Sequence, residues 1–452
     1  MFNRNDIRDN ISPEELATMF LKDYFNNKEI SYPINPFEML KENGVNFFFR
    51  PFKKYEGIYL QEDDNGSAIV GININRPITR QRYTAAHELC HHIKDAGKNI
   101  SCLISGKSEI EKFAEAFAAG LLMPLEELNK QVCKFEINGH VDFESVLKIA
   151  NYFGVSFESC LYRIAYKLHK IEGDTSPMEL KKRISKFKPK KMSQSMGLND
   201  LRLYEQLFDT NSICLFFEPN EFSKRIFQTE YIFNDSRMEG INIGIDIVAQ
   251  IITDIKLKNK NSEYFNCQSE EFIEVAGLCE VYSEVFDKDV PKDISVFDML
   301  EFHRKLYAYA PYPEEAGKFR NTNNFVSDAK FETSDKNDIY NEFLALDEIV
   351  KDLVKNISNI SKSEYIKQAL NIHYKLTTIH PFNNGNGRIS RAFLNLLLIK
   401  NNIPPVFFTY KNKSEYKEAL KNVDVYNDSV KLYELTYKNI IEVMSTLTNM
   451  MI

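Results

Sequence analysis

The chain has 452 residues, 43% hydrophobic and 27% charged, which suits a folded protein of two or three domains and excludes collagen-like, low-complexity and largely disordered readings. Lys and Arg total 57 against 64 Asp and Glu, a net charge of −7, which argues against a nucleic acid as partner. No apolar run approaches the roughly 18 residues of a membrane span, the polar start from Met1 to Asp9 is no signal peptide, and seven scattered cysteines without a CxxC pair read as reduced thiols, so a cytoplasmic protein without a membrane partner is expected.

In chain order, Ala68 to Ile74 is β-branched and apolar and predicts a strand, broken by Asn75-Arg76-Pro77. Helical patterns follow from Arg80 to Ile93, from Glu109 to Leu122 before Met123-Pro124, and twice between Val141 and Leu168. Inside the first of these helices, His87-Glu88-Leu89-Cys90-His91 is an HExxH motif. Its i, i+4 spacing puts both imidazoles on one helix face, where they can reach a single zinc ion. Glu88 stands beside the open metal position, placed to take a proton from an attacking water and hand it to a leaving amine. Zinc needs a third ligand, and Glu111 and Glu115 share a helix face downstream, so either could supply it.

Arg80-Gln-Arg-Tyr-Thr-Ala-Ala-His-Glu-Leu-Cys-His, with the later E-x-x-A-x-x-F-A-x-x-L-L-M-P, resembles the ImmA/IrrE metallopeptidases over about residues 10 to 170. The resemblance implies a zincin-like α+β domain over 1–173, with His87, His91 and Glu111 as the zinc ligands and a protein as the substrate cleaved. Two positions depart from the family pattern: Cys90 stands where Gly is usual and Glu115 where Asn is usual. Cys90 reads as a small buried helix residue, and His92 as structural or solvated.

Between Asp174 and Leu198 the composition shifts to Lys, Ser and Pro, with Lys181, Lys182, Arg183, Lys186, Lys188, Lys190 and Lys191. This reads as a basic, exposed linker over 174–198. Beyond it, helical patterns dominate: Gly244 to Lys256, Ser295 to Tyr309, Asn337 to Ile357, Ser363 to Thr377, Ser390 to Lys400 and Val430 to Met450. A mostly α-helical domain over 199–452 is expected.

Within it, Ile379-His380-Pro-Phe-Asn-Asn384-Gly385-Asn386-Gly387-Arg388-Ile-Ser-Arg391 precedes an apolar helix. Gly385 and Gly387 let backbone N–H groups approach phosphate oxygens at a helix N-terminus. Arg388 and Arg391 add fixed cations, and His380 is placed as a general base for a hydroxyl. The block resembles HPFxxGNGRxxR of the Fic family, and Gly317-Lys-Phe-Arg320 with Asn323-Asn-Phe-Val326 resembles that family's flap, a small β-hairpin, over roughly 230 to 410. The resemblance implies transfer of AMP from ATP onto a hydroxyl of a target protein, with His380 as base and residues Asn384 to Arg388 and Arg391 binding the nucleotide. The family usually has Asp or Glu, a magnesium ligand, where this chain has Asn384, whose neutral oxygen Mg²⁺ favours less.

Asp235-Ser-Arg-Met-Glu239-Gly240 resembles the family's inhibitory helix, near 234–241, with Asp235 in place of the usual Ser or Thr; Glu239 would then pair with Arg391 and occupy the γ-phosphate space. Together these readings describe a multi-domain α+β protein that joins a zinc peptidase to an autoinhibited protein adenylyltransferase. The alternative is a regulatory or binding protein in which one or both sites are silent.

Overall fold

A computed structural model describes residues 2, 4, 7–8, 10–26, 28–61, 68–95, 100–103, 108–212, 220–266, 269–286, 293–311, 315–326 and 331–450. They fall into two compact units, 1–214 and 215–452.

The first unit opens with α1 (Pro13–Tyr24) and α2 (Pro36–Glu42), followed by strands β1 (Asn46–Arg50), β2 (Tyr55–Leu60) and β3 (Ile69–Asn73). The long helix α3 (Ile78–Lys94) leads to β4 (Ile100–Leu103), then to α4 (Glu109–Leu122), α5 (Leu125–Phe135), α6 (Phe143–Phe153) and α7 (Phe157–Arg163), which ends in a π-helical turn. The sheet order is β1-β3-β2-β4, with β1 parallel to β3 and β2 antiparallel to both of its neighbours. Nearly all of α3 is buried; Ala85, Ala86, Leu89, Cys90 and Ile93 are at most 3% exposed. Its apolar side meets α4, whose Phe117, Ala118, Leu121 and Leu122 are fully buried. Each such large side chain contributes about 1.5–3 kcal/mol.

The stretch 174–198, expected as an exposed linker, instead carries two helices inside the first unit, α8 (Pro177–Phe187) and α9 (Pro189–Ser195). Pro at the start of α8 presets its first turn, Leu180 is buried, and the Phe187 ring packs on Phe143 and Phe157 at 5.3 Å from each. The lysines point outward, and α9 has no buried residue. The unit continues through α10 (Leu201–Asp209), so residues 199–214 belong to it and not to the second unit. The reason is Arg82, a fully buried cation on α3. Its guanidinium donates to the carbonyls of Gly154 (3.2 Å) and Ile34 and to Oε1 of Gln206 on α10 (2.8 Å). Burying a guanidinium is tolerable only with its donors satisfied in this way, and α10 supplies one of the acceptors.

Among its described residues the second unit has helices and no strand: α11 (Glu221–Met238), α12 (Ile245–Lys256), α13 (Glu263–Asn266), α14 (Glu270–Val285), α15 (Asp298–Leu306), α16 (Ile339–Lys355), α17 (Lys362–Ile379), α18 (Asn386–Lys400), α19 (Lys413–Tyr426) and α20 (Val430–Met450). At its centre α17 packs against α18, whose residues from Ile389 to Leu398 are almost all buried. The expected β-hairpin flap has no strand among the described residues; 327–330 lie outside them. Side chains tie its two legs instead. Asn323 donates to Asp335 at 2.8 Å and accepts from the N–H of Lys336 at 2.8 Å, and the Thr333 hydroxyl donates to the carbonyl of Asn324. Among the described residues, two backbone groups of these legs, the Lys336 N–H and the Asn324 carbonyl, are taken up by side chains and no ladder bond is present.

Candidate functional site

In the first unit, α3 and α4 bring three predicted residues together. The Nε2 atoms of His87 and His91 lie 3.1 Å apart, and the Glu111 carboxylate lies 3.1 Å from His87 and 3.7 Å from His91. Glu111 stands in the first turn of α4, capped by the Ser108 hydroxyl. Glu115, the other candidate ligand, is exposed and stands outside this group. Nδ1 of His91 donates to Asp95 at 2.9 Å, which fixes the tautomer and leaves Nε2 with a lone pair. The cluster therefore offers acceptors to one point, and bonds of roughly 2.0–2.1 Å to a tetrahedral ion require ligand atoms about 3.3 Å apart. Zinc fits this donor set, which would hold it through His87, His91 and Glu111.

Glu88 is fully buried on the next position of α3, and neither of its carboxylate oxygens has a hydrogen-bond partner among the described residues. Burial pushes its pKa well above the usual carboxylate range, and Glu111 adds to the shift. Strand β2 passes directly over it: a Cβ at Gly57 would come within 2.3 Å of its Oε1. Burial likewise lowers the proton affinity of His87, against the pull of Glu111. His92 turns the other way and bonds the Tyr59 hydroxyl (3.1 Å) and Arg4 (2.8 Å). Cys90 is buried and free.

In the second unit, the predicted loop joins the end of α17 to the start of α18. His380 closes α17 in a left-handed conformation, φ 52°. Its carbonyl accepts from Nε of the buried Arg320 at 2.8 Å, and the carbonyl of Pro381 accepts from the N–H of Arg320 at 2.9 Å. Burial lowers the pKa of His380; the Thr377 carbonyl opposes this and Arg320 reinforces it. Asn386 closes the loop reciprocally, accepting from the N–H of Phe382 and donating to its carbonyl, each at 2.8 Å. Gly385 has φ 78°, which a side chain would strain, and a Cβ there would meet Leu306 at 2.8 Å.

Both arginines already have counter-charges. Arg391, 5% exposed, bonds Asp235 through Nε and Glu239 through Nη2, each at 2.5 Å. Arg388, 3% exposed, lies 2.7 Å from the Glu274 carboxylate of α14. Burial raises the pKa of Asp235 in spite of Arg391. For Glu239 the same burial is outweighed by Arg391, and its carboxyl stays below the usual range. The amide oxygen of Asn384 accepts from the N–H of Gly385 (2.7 Å) and from Nη2 of Arg388 (3.3 Å). A neutral oxygen turned toward a guanidinium does not fit Mg²⁺.

Sequence reasoning missed Asp95, Arg320's hold on His380, and Glu274. Asp95 stands four residues after His91, a helical spacing that pairs them. Glu274 lies more than a hundred residues from Arg388, and no local pattern links the two.

Comparison with known proteins agrees with this division. Residues 40–165 match the IrrE N-terminal-like domain and residues 293–398 match the Fic/DOC family. A relative from Nematostella vectensis called protein adenylyltransferase Fic is 29% identical over 202 residues, 43% of this chain and 43% of its own length. The Caenorhabditis elegans protein adenylyltransferase fic-1 is 33% identical over 144 residues, 31% of this chain and 25% of its own. This chain thus spans less than half the length of these curated relatives. Among solved structures, C. elegans Fic-1 (residues 134–508) aligns with 82% of this chain and 98% of its own at 19% identity, TM-score 0.44. Residues 40–165 are thus similar to the IrrE N-terminal-like domain and residues 293–398 to the Fic/DOC family.

Proposed function

We propose that this chain is a cytosolic bifunctional enzyme: a zinc-dependent peptidase joined to a protein adenylyltransferase held in check by Glu239. The observation that carries the transfer reading is the Fic/DOC match together with the gathering of His380, Gly385 to Gly387, Arg388 and Arg391 in one loop and the first turns of α18 that follow it. His380 takes the proton of a Ser, Thr or Tyr hydroxyl on a target protein. The hydroxyl oxygen then bonds to the α-phosphorus of ATP, and pyrophosphate leaves with the bridging oxygen. The loop N–H groups and the two arginines hold the phosphates. Asn384 steadies Arg388.

The peptidase reading rests on the IrrE-like match and on the convergence of His87, His91 and Glu111 beside a buried, unpartnered Glu88. When bound, zinc polarises the scissile carbonyl. Glu88 takes the proton of the attacking water and returns it to the leaving amine, and the protein cleaved lies along the face shared by α3 and β2. Glu239 supports the autoinhibitory reading by pairing with Arg391, which places negative charge where the γ-phosphate would sit.

Incubation with radiolabelled ATP and cell lysate, with and without a chelator, tests both halves: transfer of label depends on His380 and proteolysis on zinc. A binding or regulatory role for the second unit is favoured by one observation, the internal pairing of Arg388 with Asn384 and Glu274. Absence of labelled protein in every variant would establish it.

A further inference from the structure

His303 of α15 stands outside the loop motif, yet it touches both parts of the transfer machinery. Its ring is 4% exposed. Nδ1 accepts the N–H of Gly317, at the base of the flap, at 2.9 Å. That bond leaves the proton on Nε2, which donates to the backbone carbonyl of Asn384 at 3.2 Å. The same ring stacks on Phe382, centroids 4.0 Å apart and planes 16° apart. Phe382 lies two residues after His380 and is the residue that Asn386 clasps. One neutral imidazole therefore spans the flap base, the turn that presents Gly385, and the ring beside the base.

The two bonds demand opposite roles of the two ring nitrogens, so only a neutral ring with its proton on Nε2 satisfies both. Burial supplies that state, holding the pKa of His303 down at about 4. The flap end is equally constrained. Gly317 has φ 71°, and a Cβ there would press within 2.9 Å of the Leu300 carbonyl of α15, so its N–H has little freedom to turn elsewhere.

We propose that His303 is a positioning residue that sets the flap and the phosphate loop in register with each other, so that the target hydroxyl and the α-phosphorus meet at His380. This rests on the transfer reading above. It makes Nε2 responsible for the nucleotide and Nδ1 for the target chain, two effects that separate experimentally. An Asn side chain puts its amide oxygen near the Nδ1 position and keeps the flap bond alone. A Gln side chain reaches the Nε2 position with an N–H donor and keeps the loop bond alone.

The experiment uses the full chain with Glu239→Gly, combined with His303→Ala, His303→Asn or His303→Gln. ATP affinity is titrated directly, self-modification is timed with labelled ATP, and thermal melting is recorded for each variant. His303→Ala lowers transfer about 10²-fold, the cost of misplacing reacting groups by about an ångström. His303→Asn weakens ATP binding about fivefold, the worth of one hydrogen bond. His303→Gln binds ATP as the parent does and transfers more slowly. Three equal losses that follow the melting temperature would reduce His303 to a packing residue, and unchanged transfer by His303→Ala would overturn the proposal outright. If the Glu239→Gly parent binds ATP but labels nothing, the transfer reading fails. The ATP titration then still decides the loop half of the proposal: equal affinity for parent and His303→Asn refutes it.

Discussion

The two sites are built on opposite electrostatic plans. In the first unit, His87, His91 and Glu111 turn lone pairs toward one point, with a buried carboxylate beside them. In the second unit, two buried guanidiniums are met by three carboxylates from the same unit, Asp235 and Glu239 on Arg391 and Glu274 on Arg388. The first arrangement gains stability only from a cation brought from outside. The second is already neutralised, so on the transfer reading proposed above a phosphate would have to displace a carboxylate before it could bind. A cluster of converging lone pairs is thus suited to capture a cation, whereas a balanced one would be controlled by what must be released.

The sharpest break of this contrast is in the peptidase cluster. Glu88→Gln keeps zinc at wild-type stoichiometry in elemental analysis and loses about 10²–10⁴-fold in proteolysis, the usual worth of a general base. His91→Ala loses the metal itself; zinc retained there would end the ligand assignment. Next in size, Asp95→Asn leaves the three ligands intact and weakens zinc about 10–100-fold in a competition titration, because the His91 ring is no longer held in one tautomer.

On the transfer side the signs reverse, and removing a carboxylate raises activity. Glu239→Gly labels itself roughly tenfold faster than wild type, and Glu274→Gln gives a smaller gain through Arg388. Equal rates in all three proteins would mean that neither ion pair blocks the nucleotide. The smallest effect is in pH. His380 acts as a base only when neutral, and burial lowers its pKa. The acid limb of transfer in Glu239→Gly therefore lies below the ordinary histidine value of about 6.5, with rate falling as pH drops through it. A limb above that value would mean that another group titrates.

Much of this was legible from local pattern. The helix predicted from Glu109 to Leu122 and that from Val430 to Met450 have the observed limits, and Arg80 to Ile93 lies inside Ile78–Lys94, because a strong apolar period or a Pro and Ser boundary marks each. The HExxH spacing carried the two histidines to one face without further information. The basic stretch over 174–198 was misleading, since lysine and serine suit a solvated helix as well as a tether, and Leu180 and Phe187 are a thin apolar stripe. Which carboxylate meets which arginine depends on α11 and α14 both reaching α18, and sequence spacing holds no record of that.

If the second unit is the transferase proposed above, the triple pairing of Arg388 and Arg391 would change how it responds to nucleotide. With the ion pairs closed in most molecules, apparent affinity is the intrinsic affinity scaled by the open fraction; a closed form favoured about 100 to 1 raises the apparent Kd about 100-fold. Nucleotide level alone would then be a weak input. On that reading occupancy would be set by whatever shifts α11 or α14, and the unit would work as a detector of contacts on those two helices, with ATP as the constant supply that reports them.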